Sequence, residues 1–492
     1  MSKEQQVRNA GIYMVPTVIS MILPIISLPI ILDYLSPAEF GAYTLSFAFG
    51  SVVVGFCQLS LLGVYERNFF LYNESKQRAQ LLFTTISFVS FVMLIMGLFI
   101  YLSKTYIASW VVQNNEYGML LFITFMGLVF QSSGNYYWSF LKNIGNAKIN
   151  VTIVLLTSIL GFILNIYFVS ILKIGPIGLS FGLLISNAVV FGVVTIYFLK
   201  LMGYKLNFSL LISSLKLSLP LVPTGVLSII GKYFDKYIIS VLSTMGGVGI
   251  YAISQRISNL SFLFMTNIQK VYGPVVYSKM FKSNYTTGDK EIGKYLTPFA
   301  YFSVAGALFL SLFSEEVITI LAPPEYLKGL NIINILCISF AFTFFSKQPQ
   351  LMYAGKTVIQ SVLSFINFLS KIIVLFILVN QYGLIGAAIG TLIVTIVYNI
   401  LLVWQGQKYF KIKYEWLKIT IIYSMLLFMS ISVILFKEWN IAYMNRLLIK
   451  IIYLGVFIGF GSFLKILTKN NLLLLFKKTW VVKLFTYLAG AL

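Results

Sequence analysis

Histidine is absent from the 492 residues, cysteine occurs twice, and only 10% of the residues are charged. Each shortage excludes a class of protein. Without His there is no Ser-His-Asp or Cys-His catalysis. Cys57 and Cys337 stand singly inside apolar runs, so no zinc, haem or thiol-redox motif can be assembled and no metal or cofactor is expected. Both read as small buried hydrophobes. A soluble protein carries about a quarter charged residues, and so few charges cannot cover a globular surface. An ordinary soluble enzyme, a disordered chain and a secreted disulfide scaffold are excluded together. Acidic residues are the scarcest charges, 14 against 36 Lys and Arg, for a net charge of +22. Alone, that balance suggests a nucleic-acid partner. A 59% hydrophobic composition and a mean hydropathy of +0.90 argue against one, so the cations need another explanation.

What the chain has in quantity is long apolar runs. A helix needs about 20 mostly apolar residues to cross a bilayer. Fourteen runs qualify: 10–32, 40–64, 81–102, 118–138, 149–171, 176–201, 216–242, 248–272, 294–321, 330–353, 357–379, 382–405, 416–436 and 444–467. A transmembrane barrel would instead show alternating segments of about 10 residues. The first run is too long for a cleaved signal and lacks a small-residue cleavage site. These runs predict an all-α polytopic membrane protein of about 14 transmembrane helices.

The cations then fall into place. With the N-terminus inside, 25 of the 36 lie in cytoplasmic segments and 5 in outer ones (Lys104, Lys173, Lys328, Lys437 and Arg446), leaving 6 within spans. This positive-inside bias holds at every loop and predicts both termini in the cytoplasm. The stretch 469–487 mixes Lys with Leu, Phe and Trp480. It reads either as an interfacial helix on the inner leaflet or as an irregular basic tail.

Self-comparison shows a repeat. Val15-Pro16-Thr17 recurs as Val222-Pro223-Thr224 and Leu35-Ser36 as Leu242-Ser243, both at an offset of 207. Gly41-x-Tyr43 recurs as Gly249-x-Tyr251 and Gly175-x-x-Gly178 as Gly383-x-x-Gly386, at 208. Leu141-x3-Gly145 recurs as Leu351-x3-Gly355, at 210. The offset maps span 1 onto span 7. Six is even, so the two six-helix lobes are parallel repeats related by an axis along the membrane normal, with a cavity expected between them and alternating access by rocking. The expected organisation is an N-lobe at 1–201, a cytoplasmic linker at 202–215, a C-lobe at 216–405, two extra helices at 406–467 and a basic tail at 468–492. Pro16, Pro24 and Pro29 punctuate span 1 and Pro220 and Pro223 span 7. They are hinge candidates, with a static packing kink as the competing reading.

A charge near the bilayer centre is costly and marks a candidate functional site. The candidates are Lys232, Asp235, Lys236, Arg256 and Lys371, with Lys270 near an inner end where it can snorkel. At 1.5 Å per residue, Lys232 and Lys371 lie about 21 Å from the inner face and Arg256 about 12 Å below the outer one. The first lobe offers polar groups instead: Gln58, Gln131, Ser132, Ser133, Asn135, Tyr136, Tyr137, Asn165 and Asn187. Asp235 can meet Arg256 across the hairpin as a structural ion pair. Lys232, Lys236 and Lys371 are then expected to be unpaired, though Lys236 can also snorkel outward. Such a cluster suits a pyrophosphate or an acidic sugar and is wrong for a cationic drug.

The segment Leu35-Ser36-Pro37-Ala38-Glu39-Phe40-Gly41-Ala42-Tyr43 resembles the LSP-x-E-[FY]-G-x-Y segment of bacterial polysaccharide transporters. These are the O-antigen flippase (Wzx-type) branch of the multidrug/oligosaccharidyl-lipid/polysaccharide (MOP) exporter superfamily. Asp235-Lys236-Tyr237 followed by Val248-Gly249-Ile250-Tyr251-Ala252 is similar to the second-lobe counterpart. Tyr382 to Thr391 resembles the YG-x-x-GAA-x-[GA]-T start of span 12. The resemblance spans the whole chain, but its short motifs fix the superfamily better than the substrate.

The resemblance implies a MATE/MOP-like two-lobe transporter, not an enzyme, in the bacterial cytoplasmic membrane. It would flip an undecaprenyl-pyrophosphate-linked oligosaccharide for O-antigen, capsule or exopolysaccharide assembly. The headgroup would cross in a cationic cavity formed by Lys232, Lys236, Arg256 and Lys371, with the lipid tail left in the bilayer, where the two extra helices can offer it a groove. It also implies an H+ or Na+ gradient as the driving force, with Asp235 as the coupling carboxylate, and a polysaccharide polymerase and chain-length regulator as partners. Three other readings stay open. A multidrug antiporter of this fold should carry carboxylates in both lobes. A polymerase or ligase should carry a large outer loop, whereas the longest here is 103–117 with Glu116 its acidic residue. A flippase for another lipid-linked cell-wall precursor would look the same.

Overall fold

A computed structural model describes residues 19–20, 22–72, 74–202, 205–282, 290–347, 350–436, 439 and 441–468. Among the described residues the chain is helical and no strand occurs. It forms two compact units: the first runs to Ile250 and includes Leu321–Pro323, and the second comprises Tyr251–Ile320 and the chain from Pro324 onward. The repeat boundary at 202–215 records which segments recur, while the units record which segments pack.

The first unit contains α1 (Ile22–Leu32), α2 (Pro37–Cys57), α3 (Leu61–Phe69), α4 (Ser75–Leu102), α5 (Lys104–Val111), α6 (Gly118–Asn143), α7 (Ala147–Ile166), α8 (Ile177–Met202), α9 (Phe208–Ser218) and α10 (Val222–Leu242). Its centre is α6, which packs on α2, α4, α7 and α8. Lipid gives helices no hydrophobic reason to associate, so close approach through small residues matters. At Gly127 of α6 a Cβ would stand 2.9 Å from the Leu183 side chain of α8. A buried aromatic layer fills the rest, with Tyr137 stacked on Phe198 at 5.1 Å and Tyr65 edge-on to Tyr136 at 5.5 Å.

The LSP-x-E segment is a helix start. Ser36 Oγ accepts from the Glu39 amide at 3.3 Å, and Glu39 Oε2 accepts from the Ser36 amide at 2.9 Å. This capping box satisfies two amides that have no intrahelical partner, and Pro37 sits where its missing N–H is harmless.

The second unit begins within α11 (Met245–Lys282), which starts in the first. It continues with α12 (Lys290–Leu312), α13 (Ser314–Leu321), α14 (Leu330–Phe342), α15 (Gln350–Tyr353), α16 (Thr357–Tyr409), α17 (Trp416–Leu435) and α18 (Tyr443–Phe463). Tyr272, Phe299, Phe344, Phe345 and Tyr423 form its aromatic core. As one helix the 53 residues of α16 would extend about 80 Å. Instead Gly383, at φ 57° and ψ −132°, breaks it, and the halves lie side by side, with Ser364 Oγ 3.0 Å from Tyr398 Oη.

Eleven helical runs of the described residues are long and apolar enough to cross a membrane. One of these is α16, which Gly383 divides in two. The shorter apolar α1 and the 38-residue, more polar α11 fall on two further expected runs.

Several expected bounds shift. The run 40–64 is broken after Cys57, where Leu59 and Ser60 take φ of 50° and 55°. The run 294–321 divides into α12 and α13, and 330–353 stops being α-helical at Phe342. The loop 103–117 holds α5, and the linker region holds α9, pinned where Asn68 Nδ2 donates to Ser214 Oγ at 3.1 Å. Apolarity alone does not mark these breaks, because each falls inside a hydrophobic stretch.

Candidate functional site

One turn of α10 carries Lys232, Tyr233, Asp235 and Lys236. That helix is held along α2. Phe47 meets the Tyr233 ring edge-on at 6.3 Å, the Ile229 side chain fills the space over Gly55, and a Cβ on Gly225 would stand 2.9 Å from Ser60 Oγ. At its far end Gln113 Nε2 donates to the Ser240 carbonyl at 2.8 Å, satisfying one of the carbonyls a helix end leaves open.

The charges on this turn behave differently from one another. Asp235 is 1% exposed; its Oδ1 accepts the Lys236 amide at 3.0 Å and lies 3.6 Å from Lys236 Nζ. Lys236 is 6% exposed. The expectation of an unpaired or outward-snorkelling Lys236 is therefore corrected. A buried carboxylate one residue away keeps the ammonium inside, since separating the two would cost each desolvated charge a compensating partner. Lys232 is exposed, its ammonium 5.3 Å from the Tyr233 ring centroid, and among the described residues no carboxylate pairs with it.

Arg256 on α11 and Lys371 on α16 are half-buried, belong to the second unit, and neither is without interactions. Lys371, expected to be unpaired, is therefore not free. The Lys270 side chain, Pro16 and the tail from 469 lie outside the described residues. Pro24 and Pro29 lie in α1, where Ser27 Oγ donates to the Pro24 carbonyl at 3.0 Å. Pro220 occupies the short turn Leu219–Leu221 and Pro223 the first turn of α10, where proline breaks no helical bond.

Three of the polar groups expected in the first lobe, Gln58, Ser133 and Asn187, bond to neighbouring groups, whereas Tyr136 Oη, Tyr137 Oη and Asn165 Oδ1 are buried without a hydrogen-bond partner among the described residues. Gln58 Nε2 donates to Ser132 Oγ, Ser133 Oγ is 3.1 Å from Ser90 Oγ, and Asn187 Nδ2 donates to the Leu183 carbonyl at 2.8 Å. Tyr136 and Tyr137 are core residues. Gln131, Trp138 and Asn187 line a cleft between α6, α7 and α8 with room for a single water.

Two features escaped the sequence. Tyr233 stands between two lysines, with Lys236 Nζ 5.7 Å from its ring centroid. In the second unit Lys450 of α18 is wholly buried and binds Glu316 at 2.8 and 3.0 Å and Glu315 at 3.2 Å, while Arg446 binds Glu315 at 2.9 Å. Lys450 lies within a predicted span and so carried the same warning as Lys232. Its partners sit more than 130 residues away.

Eleven membrane-length apolar helices among the described residues, a sequence repeat and cations on those helices define the class: a multi-pass membrane protein with the fold of the MOP exporters. Solved structures share that fold. The lipid II flippase MurJ in an inward closed conformation matches with a TM-score of 0.65 at 19% identity, over 92% of this chain and 99% of that one. An inward-facing multidrug resistance MATE family transporter of the MOP superfamily matches with 0.60 at 18%, over 83% and 98%. The MATE multidrug transporter DinF-BH matches with 0.56 at 18%, over 83% and 96%. The chain belongs to the polysaccharide biosynthesis protein family, whose profile matches residues 34–329. No curated protein matches the sequence.

Proposed function

We propose that the protein is a flippase, without catalysis of its own, for an undecaprenyl-pyrophosphate-linked oligosaccharide. It would serve assembly of a surface polysaccharide such as O-antigen, capsule or exopolysaccharide. The observation that carries this reading is Lys232: an exposed ammonium with no carboxylate partner among the described residues, on a membrane span, in a chain of the polysaccharide biosynthesis family. A cation in that position persists where it meets water or an anion, and the pyrophosphate of a lipid-linked glycan supplies the anion. The likeness to MurJ, a lipid II flippase, supports a lipid-linked cargo. The drug-transporting neighbours share the fold, but a cation is the wrong sign for a cationic drug. Arg256 and Lys371 are proposed as further phosphate-binding side chains, each to be tested separately. Asp235 is proposed as the carboxylate through which an H+ or Na+ gradient acts. The positive-inside pattern supports a cytoplasmic membrane location with both termini inside, and a polymerase and chain-length regulator would act on the flipped product.

The deciding experiment is deletion. Lipid-linked repeat units should accumulate on the inner leaflet and surface polysaccharide should be lost, with restoration by the wild-type gene. Normal surface polysaccharide in the deletion strain sinks the reading, and drug hypersensitivity in its place would favour the antiporter.

A further inference from the structure

The geometry points to Tyr233 as a sugar-recognition residue that selects glycosylated over bare lipid pyrophosphate. The inference rests on the flippase reading and adds a residue and a substrate feature to it. The ring lies within cation–π range of both the Lys232 and Lys236 ammoniums, at 5.3 and 5.7 Å. Its plane is set from α2 by Phe47, edge-on at 67°. Tyr233 is half-buried, and among the described residues its phenol makes no hydrogen bond. Half-buried and beside the exposed Lys232, that phenol is open to whatever meets the lysine. A lipid-linked glycan offers two chemistries side by side: a doubly anionic pyrophosphate, and a pyranose with an apolar C–H face and a hydroxyl rim. An ammonium suits the first. An aromatic face with a free hydroxyl beside that ammonium suits the second. The two subsites are adjacent residues on one helix, as pyrophosphate and first sugar are adjacent groups in the substrate.

The test uses the full chain in lipid nanodiscs. The probes are undecaprenyl pyrophosphate and the same lipid carrying a single glucose, galactose or N-acetylglucosamine. Wild type is expected to bind at least one glycosylated probe about three- to tenfold more tightly than the bare lipid, the range of one aromatic contact. Tyr233→Leu should abolish that preference while holding bare-lipid affinity within about twofold of wild type, and Tyr233→Phe should keep most of it. The melting temperature of each variant identifies any that fails to fold; should Tyr233→Leu do so, Tyr233→Met, which also removes the aromatic face, carries the comparison against Tyr233→Phe, which keeps the ring and its packing on Phe47. Three results overturn the inference alone: no sugar preference in wild type, an unchanged preference in Tyr233→Leu, or an equal loss for bare and glycosylated lipid, which would make the ring only a shield for the lysines. Failure of wild type to bind any lipid pyrophosphate overturns the flippase reading and this inference with it.

Discussion

Gly41 and Gly249, equivalent positions of the two repeats, lie backbone to backbone. A Cβ on Gly41 would collide with the Met245 carbonyl, and one on Gly249 with the Pro37 carbonyl. Each glycine would also bring its Cβ within 3.1 Å of the other's amide nitrogen. The colliding atoms are backbone, which cannot turn aside as a side chain can. Gly41→Val and Gly249→Val should each cost about 1–3 kcal/mol by overpacking, read as a lowered melting temperature in detergent. Gly192→Ala, where nothing lies within 4 Å, is the matched control and should be neutral or stabilising. Equal melting temperatures for all three would show that the seam is not close-packed.

The Lys450 cluster makes a second prediction. Lys450→Met removes the ammonium between Glu315 and Glu316 and leaves Glu316 with none of its ion-pair partners among the described residues. Breaking a buried pair from one side costs about 3–5 kcal/mol. Adding Glu316→Gln removes the stranded charge and should restore part of that loss. The check is a double-mutant cycle in thermal unfolding, and additive effects would show the pair to be uncoupled.

The repeat was legible because its motifs are backbone devices. Gly145 and Gly355 both take positive φ, 77° and 67°, and each closes its helix with the same bond: Asn146 to the Leu141 carbonyl and Lys356 to the Leu351 carbonyl, both 2.9 Å. Gly175 and Gly383 form a second such pair, at 68° and 57°. Few other residues tolerate those angles, so geometry leaves a mark in the sequence. The spans were legible for a similar reason, since bilayer thickness imposes a length on an apolar run. Pairing partners leave no such mark. Nothing in the order of residues joins Lys450 to Glu316, or shows that Lys236 turns inward to Asp235 while Lys232 stays outside. The break after Cys57 was hidden too, because Leu59 takes a left-handed φ that its residue type disfavours.

The helix start at Ser36 is separately testable. Ser36→Ala loses the side-chain acceptor for the Glu39 amide, and Glu39→Gln keeps a reciprocal acceptor but loses the charge at the positive end of α2. Expected losses are about 0.5–2 kcal/mol for the first and below about 1 kcal/mol for the second. Thermal unfolding of both variants checks the order, and a larger loss from Glu39→Gln would assign the motif's acid to something other than capping.

Lys232 and Lys236 are one helical turn apart and should fail in opposite ways. Lys232 is exposed and pairs with no carboxylate among the described residues, so Lys232→Ala should leave the melting temperature within about 2 °C of wild type. Lipid-pyrophosphate binding should still weaken about tenfold or more, as expected for loss of a charge-assisted contact. Lys236 is buried against Asp235, so Lys236→Ala takes a countercharge away from a buried carboxylate and should destabilise by about 3–5 kcal/mol. Asp235→Asn in the Lys236→Ala background should recover part of that stability, because the carboxylate that lost its countercharge is gone. It should not recover transport if Asp235 carries the coupling ion. Paired melting and flipping measurements on the wild type and these three variants separate the roles. A Lys232→Ala protein that melts early but still binds substrate would reverse the assignment and make Lys232 the structural residue of the two.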